Sequence, residues 1–239
     1  RLFIPGENLI ICSDAWNGTV LWEIKVPDSM RIMAQKDSSY ITVDEKYLYI
    51  AAANKCLLVD VRNGKIINQL VIKTADSEWG YLALTDKLII GSTTSKGAIR
   101  RSQSRLNTQT ITHKDYVPVI VSSEIFATKK TSITASWKYL AKGGIPHTSI
   151  CLYEDKIYFI ESHNKETLHG QQTLENLLSN GSSIVCLDSK TGKQVWRREH
   201  NIKDLRHTAN LAAASGILIC NGSKNINESK RGDKKRSKG

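Results

Sequence analysis

The chain has 239 residues, of which 40% are hydrophobic and 24% are charged, a composition typical of a globular protein that buries a core. It contains no apolar stretch near the ~20 residues that a membrane-spanning helix needs, and its five scattered cysteines argue against a disulfide framework. The net charge of +11 lies mainly in two segments, 93–114 and 224–239, which carry +5 each. Such segments are typical of solvated loops and tails, so we expect no nucleic-acid partner.

The first distinctive element is a hairpin near the start of the chain. An apolar run over 8–13 leads into Asp14, and a β-prone run follows Gly18. Asp accepts hydrogen bonds from the backbone two residues on, and Gly supplies the positive φ that a tight turn needs. Trp22 then lies on a fixed face of the outgoing strand, where it can wedge between neighbouring sheets.

This D-x-x-x-G-x-x-x-W pattern recurs along the chain. The second copy has Asn68 at the Trp position, and the third copy, near 131–137, has lost its Gly and is predicted to have a slipped spacing. The signature residues are Asp14, Gly18, Trp22, Asp60, Gly64, Trp137, Asp188, Gly192 and Trp196. Because a catalytic acid is not needed once per repeat, this recurrence predicts turn and packing roles for them.

Two further short strands precede each hairpin, so every repeat has four strands. This spacing predicts an all-β fold, a β-propeller of four-stranded blades. The predicted units are a part-blade at 1–28, blades at about 37–74, 79–142 and 146–202, and a part-blade at 207–222; residues 223–239 form a basic tail or the start of an insertion. The half-blades predict an incomplete circle within a longer protein, whose propeller would have about seven or eight blades.

The turn motif resembles the PQQ-like (pyrroloquinoline-quinone) repeat over roughly residues 1–222. That repeat is shared by quinoprotein dehydrogenases and by the lipoprotein scaffold of the bacterial outer-membrane barrel-assembly machinery. The stretches 78–82 and 144–149 also resemble large PQQ-like repeat proteins of planctomycete-type bacteria. The resemblance implies a propeller in a larger bacterial protein and favours a periplasmic or cell-envelope location.

The same resemblance bears on cofactors. Quinoprotein dehydrogenases hold their quinone at the propeller axis with an adjacent cysteine pair, a Trp, a Ca²⁺ ion and an Asp base. This sequence has no adjacent cysteines, and no residue could be matched to the Ca²⁺ ligands or to the base. We therefore assign no catalytic residue, no metal ligand and no cofactor; PQQ and Ca²⁺ enter only if the chain is a fragment of a quinoprotein (PQQ-dependent) dehydrogenase.

One candidate ligand site remains. His147 and His207 precede the innermost strands of successive blades, and inner strands line the axial channel, so the two side chains could face a common cavity. The leading prediction is a non-enzymatic propeller domain that acts as an interaction or scaffold module for protein partners or fused domains. The alternatives are the dehydrogenase fragment and an anion or nucleic-acid binder that works through 93–114 and 224–239.

Overall fold

The computed structural model describes residues 1–29, 39–98, 119–132, 134–168 and 172–224, with the side chains of His207 and Lys224 left out. These residues form seventeen strands in five antiparallel sheets. Within these ranges no helix is long and apolar enough to cross a membrane. The predicted all-β fold with four-stranded blades is confirmed.

The five sheets follow one another along the chain and are numbered here as blades 1 to 5. Blade 1 contains β1 (Leu2–Gly6), β2 (Leu9–Ser13) and β3 (Val20–Lys25). Blade 2 contains β4 (Ile41–Val43), β5 (Tyr47–Ala52), β6 (Lys55–Asp60) and β7 (Ile66–Val71). Blade 3 contains β8 (Ser77–Leu84), β9 (Leu88–Ser95), β10 (Val121–Lys129) and β11 (Ala135–Pro146).

Blade 4 contains β12 (Cys151–Tyr153), β13 (Lys156–Ser162), β14 (Ser182–Asp188) and β15 (Gln194–His200), and blade 5 contains β16 (Leu205–Ala214) and β17 (Ile217–Lys224). One 3-10 turn, His147–Ser149, joins blade 3 to blade 4. Between β13 and β14 lie a second 3-10 turn, Lys165–Leu168, and the short helix α1, Leu174–Leu178. The Thr173 hydroxyl caps this helix by accepting a hydrogen bond from the Asn176 amide.

The hydrophobic core lies between the blades rather than inside any one of them. Successive residues of a strand point to opposite faces of its sheet, so each blade presents apolar side chains to both neighbours. In β5, Leu48 and Ile50 pack with Ile10 of blade 1, whereas Tyr49 packs with Phe126 of blade 3. Each blade therefore depends on its neighbours for burial, as expected of a repeat architecture.

Candidate functional site

The signature hairpins show why Asp and Gly recur. The Asp14 carboxylate accepts hydrogen bonds from the Trp16 amide at 2.8 Å and the Asn17 amide at 3.2 Å. Asp188 accepts from the Thr191 amide at 2.9 Å. The glycine four residues after each of these Asp residues has a positive φ, +77° at Gly18 in the first hairpin. These carboxylates hold the turns in shape.

The signature Trp of one blade contacts the signature Gly of the next blade. The Trp22 indole donates a hydrogen bond to the Val61 carbonyl at 3.1 Å and lies over Gly64, where an added Cβ would be 2.9 Å from the ring. The hairpins of blades 3 and 4 repeat this geometry. Trp137 lies over Gly192, where an added Cβ would be 2.5 Å from the ring. Gly is needed both for its positive φ and because the ring leaves no room for a side chain.

The third hairpin corrects one expectation from the sequence. Thr128 pairs with Ala135 in the same register, and with the same bulge, as Ser13 with Val20 in blade 1, so the spacing has not slipped. The signature Asp position is instead occupied by Lys129, and the Gly position by Ile133, which lies outside the described residues. Blade 2 carries Asn68 at its Trp position. Both partners of the Trp–Gly contact are therefore replaced at the interface between blades 2 and 3.

An ion pair stands at this interface between blades 2 and 3. Lys130 Nζ lies 2.8 Å from Asp44 Oδ2 and 6.0 Å from the centre of the Tyr49 ring, and the Tyr49 hydroxyl donates to the same carboxylate at 3.0 Å. Burial alone would raise the pKa of Asp44, but the hydrogen bonds from Lys130, two backbone amides and Tyr49 outweigh it and hold the pKa at about 2. The carboxylate therefore stays ionised.

A cleft of about 250 Å³ opens at the same interface. Its apolar lining comes from Val71, Ile72 and Phe126. At its rim Lys138 pairs with Glu124, Nζ to Oε1 at 3.2 Å. The cleft combines a small apolar floor with charged edges.

The structure describes the side chain of one of the two candidate axial histidines. His147 is fully buried, and its Nε2 lies 2.6 Å from Ser122 Oγ, which donates to Ser92 Oγ at 2.7 Å. The ring fills the space beside Gly80, where an added Cβ would lie 2.5 Å away. His207 belongs to β16, but its side chain lies outside the described residues. His147 thus points into the packed interior of blade 3.

Sequence reasoning missed a buried ionic network at the interface of blades 3 and 4. Glu161 is fully buried, accepts a hydrogen bond from the Lys142 amide at 2.7 Å and one from the Tyr139 hydroxyl at 3.1 Å, and pairs with Arg197. Among the described side chains no group of three or more His, Cys, Asp or Glu could hold a metal ion. This network links strands from two blades, so its geometry is that of a structural connection.

No family model and no curated protein matches the chain. Among solved structures, the chain is similar to quinohemoprotein alcohol dehydrogenase from Comamonas testosteroni, with 13% identity, a TM-score of 0.53, and coverage of 91% of this chain and 37% of that chain. A quinohemoprotein alcohol dehydrogenase from Pseudomonas putida HK5 matches at 12% identity and a TM-score of 0.52, over 91% of this chain and 36% of that chain.

The Dos1 propeller matches at 15% identity and a TM-score of 0.53, over 90% of this chain and 48% of that chain. The chain therefore spans less than half the length of each of these proteins. At such identities the likeness concerns the fold. The predicted resemblance to PQQ-type β-propellers is confirmed at that level, and the described residues have the fold of a partial β-propeller.

Proposed function

We propose that the chain is a propeller domain that serves as an interaction or scaffold module, without catalysis of its own. The observation that carries this proposal is the exposed apolar rim on the outermost strands. Ile66 and Ile67 of β7 are 52% and 55% exposed, and Leu140 of β11 is 70% exposed. Apolar side chains exposed on the outermost strands of two blades suit contact with a protein partner.

The structural roles of the signature residues also support this proposal. Asp14 and its repeats hold turns, and Trp22 and Trp137 fill interfaces between blades, so these conspicuous carboxylates and indoles are engaged in the fold. The fold itself does not define a function, since propellers of this kind serve both enzymes and assemblies. The resemblance to cell-envelope proteins supports a periplasmic or envelope location as part of the proposal.

Site-specific photo-cross-linking tests the rim. A benzophenone amino acid at Ile67 or Leu140, in cells that make the protein, is expected to capture a discrete protein partner. The same group at Lys190, whose side chain is 67% exposed on a turn, is the matched control and is expected to capture none. Equal capture from all three positions, or none from the rim, would contradict the proposed interaction surface.

A second candidate is a fragment of a quinoprotein dehydrogenase. The observation that favours it is the likeness to two quinohemoprotein alcohol dehydrogenases over 91% of this chain. In that case the propeller axis would hold the quinone and its Ca²⁺, and residues other than the candidates His147 and His207 would be needed to bind them. Retention of PQQ with Ca²⁺ separates this candidate from a scaffold module.

A further inference from the structure

Trp16 stands at the tip of the blade 1 hairpin and is 97% exposed. A fully hydrated indole is costly, and tryptophan is among the residues that most often anchor protein contacts. The turn that carries it is ordered, because the Asp14 carboxylate holds both the Trp16 and Asn17 amides. Little conformational freedom of the backbone would be lost when this ring meets a partner.

The other blades act as internal controls for this position. The residue two places after the signature Asp is Arg62 in blade 2, with its side chain 78% exposed, and Lys190 in blade 4, 67% exposed. Both blades have described neighbours on each side, yet this position stays in solvent. Contact between blades therefore neither covers Trp16 nor requires a tryptophan there.

The cleft between blades 2 and 3 offers a complementary surface. At about 250 Å³ it is smaller than the pockets that hold drug-sized ligands, and its size suits a single aromatic side chain. Val71, Ile72 and Phe126 supply an apolar floor. It lies at the interface where Asn68 replaces the signature Trp, so no indole from the chain itself lies against the following hairpin there.

Charge favours a contact between two copies. Residues 1–29, which include the Trp16 hairpin, carry two basic and four acidic side chains, a net charge of −2, which leaves +13 on the rest of the chain. The cleft has Lys73 and Lys138 at its rim against Glu124, a net charge of +1. Opposite net charges steer two surfaces together and set their orientation.

We infer that Trp16 of one copy inserts into the blade 2–blade 3 cleft of a second copy. The two surfaces differ, so the contact is heterologous and can add further copies in a row. One indole buries about 150–250 Å², far below the ~1,600 Å² of a standard interface, so the association is weak. This inference is separate from the proposed function, because it concerns the hairpin tip and the cleft rather than the apolar rim.

Sedimentation velocity on the 239-residue chain, from micromolar to millimolar concentration, tests the inference. The wild-type chain is expected to show a mass that rises with concentration, and Trp16→Arg to weaken this association by at least about tenfold. Arg62→Ala alters the equivalent tip of blade 2 and is expected to leave it unchanged. A wild-type chain that stays monomeric, or a Trp16→Arg chain that associates as the wild type does, would overturn the inference.

A mixing experiment tests the cleft itself. Val71→Glu places a charge on its apolar floor, and Lys138→Glu, at a side chain that is 51% exposed, reverses the rim charge with little risk to folding. Each cleft variant is expected to be monomeric alone, as is Trp16→Arg. When a cleft variant is mixed with the Trp16→Arg chain, the cleft variant supplies an intact Trp16 and the Trp16→Arg chain supplies an intact cleft. The two chains are therefore expected to form a heterodimer. Absence of that heterodimer would show that Trp16 binds elsewhere and would refute the contact.

Discussion

Replacing Gly192 with alanine separates the two roles that glycine has in the signature. Gly192 has a φ of +69°, and a Cβ there would lie 2.5 Å from the Trp137 ring. Trp137 is held in place by its hydrogen bond to the Ser189 carbonyl at 3.0 Å. The added methyl group therefore has to displace the indole or distort the turn.

The cost has two parts that can be measured separately. A non-glycine residue in the left-handed region costs about 1–2 kcal/mol, and overpacking of a well-packed site costs about 1–3 kcal/mol more. Gly18 has the same turn and a φ of +77°, but an added Cβ there meets nothing within 4 Å. Gly18→Ala is therefore expected to lose only the backbone part, and Gly192→Ala roughly 2–5 kcal/mol in all.

Urea unfolding followed by far-ultraviolet circular dichroism gives both changes in the free energy of unfolding. The difference between the two variants, about 1–3 kcal/mol, measures the contact between Trp137 and Gly192. Equal losses for Gly18→Ala and Gly192→Ala would refute the claim that the signature stabilises the contact between neighbouring blades.

Three further predictions concern other contacts between blades. Asn68→Trp combined with Ile133→Gly is expected to raise the free energy of unfolding by more than the sum of the single changes, as a double-mutant cycle would show, because both partners of the Trp–Gly contact are needed. The pKa of Asp44, about 2, lies below its unfolded value of ~3.9. Its contribution to the free energy of unfolding, at most roughly 2 kcal/mol, is therefore present above the unfolded value and is lost as the pH falls towards 2. Lys130→Met should flatten this acid dependence of urea unfolding. Glu161→Gln is expected to cost about 3–5 kcal/mol in the same assay, because it leaves Arg197, whose side chain is only 21% exposed, without its carboxylate partner, and a loss below about 1 kcal/mol would contradict the structural role of the pair.

The hairpins and the blade pattern could be predicted from the sequence because their signals are local. Asp14 and Gly18 lie four residues apart within one turn, and the hydrogen bonds that they make stay inside it. The exposure of Trp16 follows in the same way from its place at the tip of that turn. Such short-range interactions require the same residue types in each copy of the repeat.

The contacts between blades could not be predicted in the same way. Glu161 and Arg197 are separated by 35 residues, and only the packing of two blades shows that Tyr139 completes their network. The place of His147 before an inner strand does not reveal the contacts of its ring, which the 3-10 turn places beside Gly80 and Ser122. A strand-end position does not fix where a side chain points.

The basic segments 93–114 and 224–239 lie mostly outside the described residues, so the expectation of no nucleic-acid partner stays a prediction. An anion or nucleic-acid binder would lose affinity steeply with salt. Binding of duplex DNA to the wild-type chain, compared with a chain that lacks both segments, decides this point. Unchanged affinity after their deletion would refute a role for them.

The central claim, a propeller domain that acts as an interaction module rather than as a quinone enzyme, is tested most directly by equilibrium dialysis of the chain against PQQ and Ca²⁺. The proposal predicts no retained quinone absorbance and no dye-linked alcohol oxidation. Stoichiometric retention of PQQ together with alcohol oxidation would contradict it and would establish the dehydrogenase alternative.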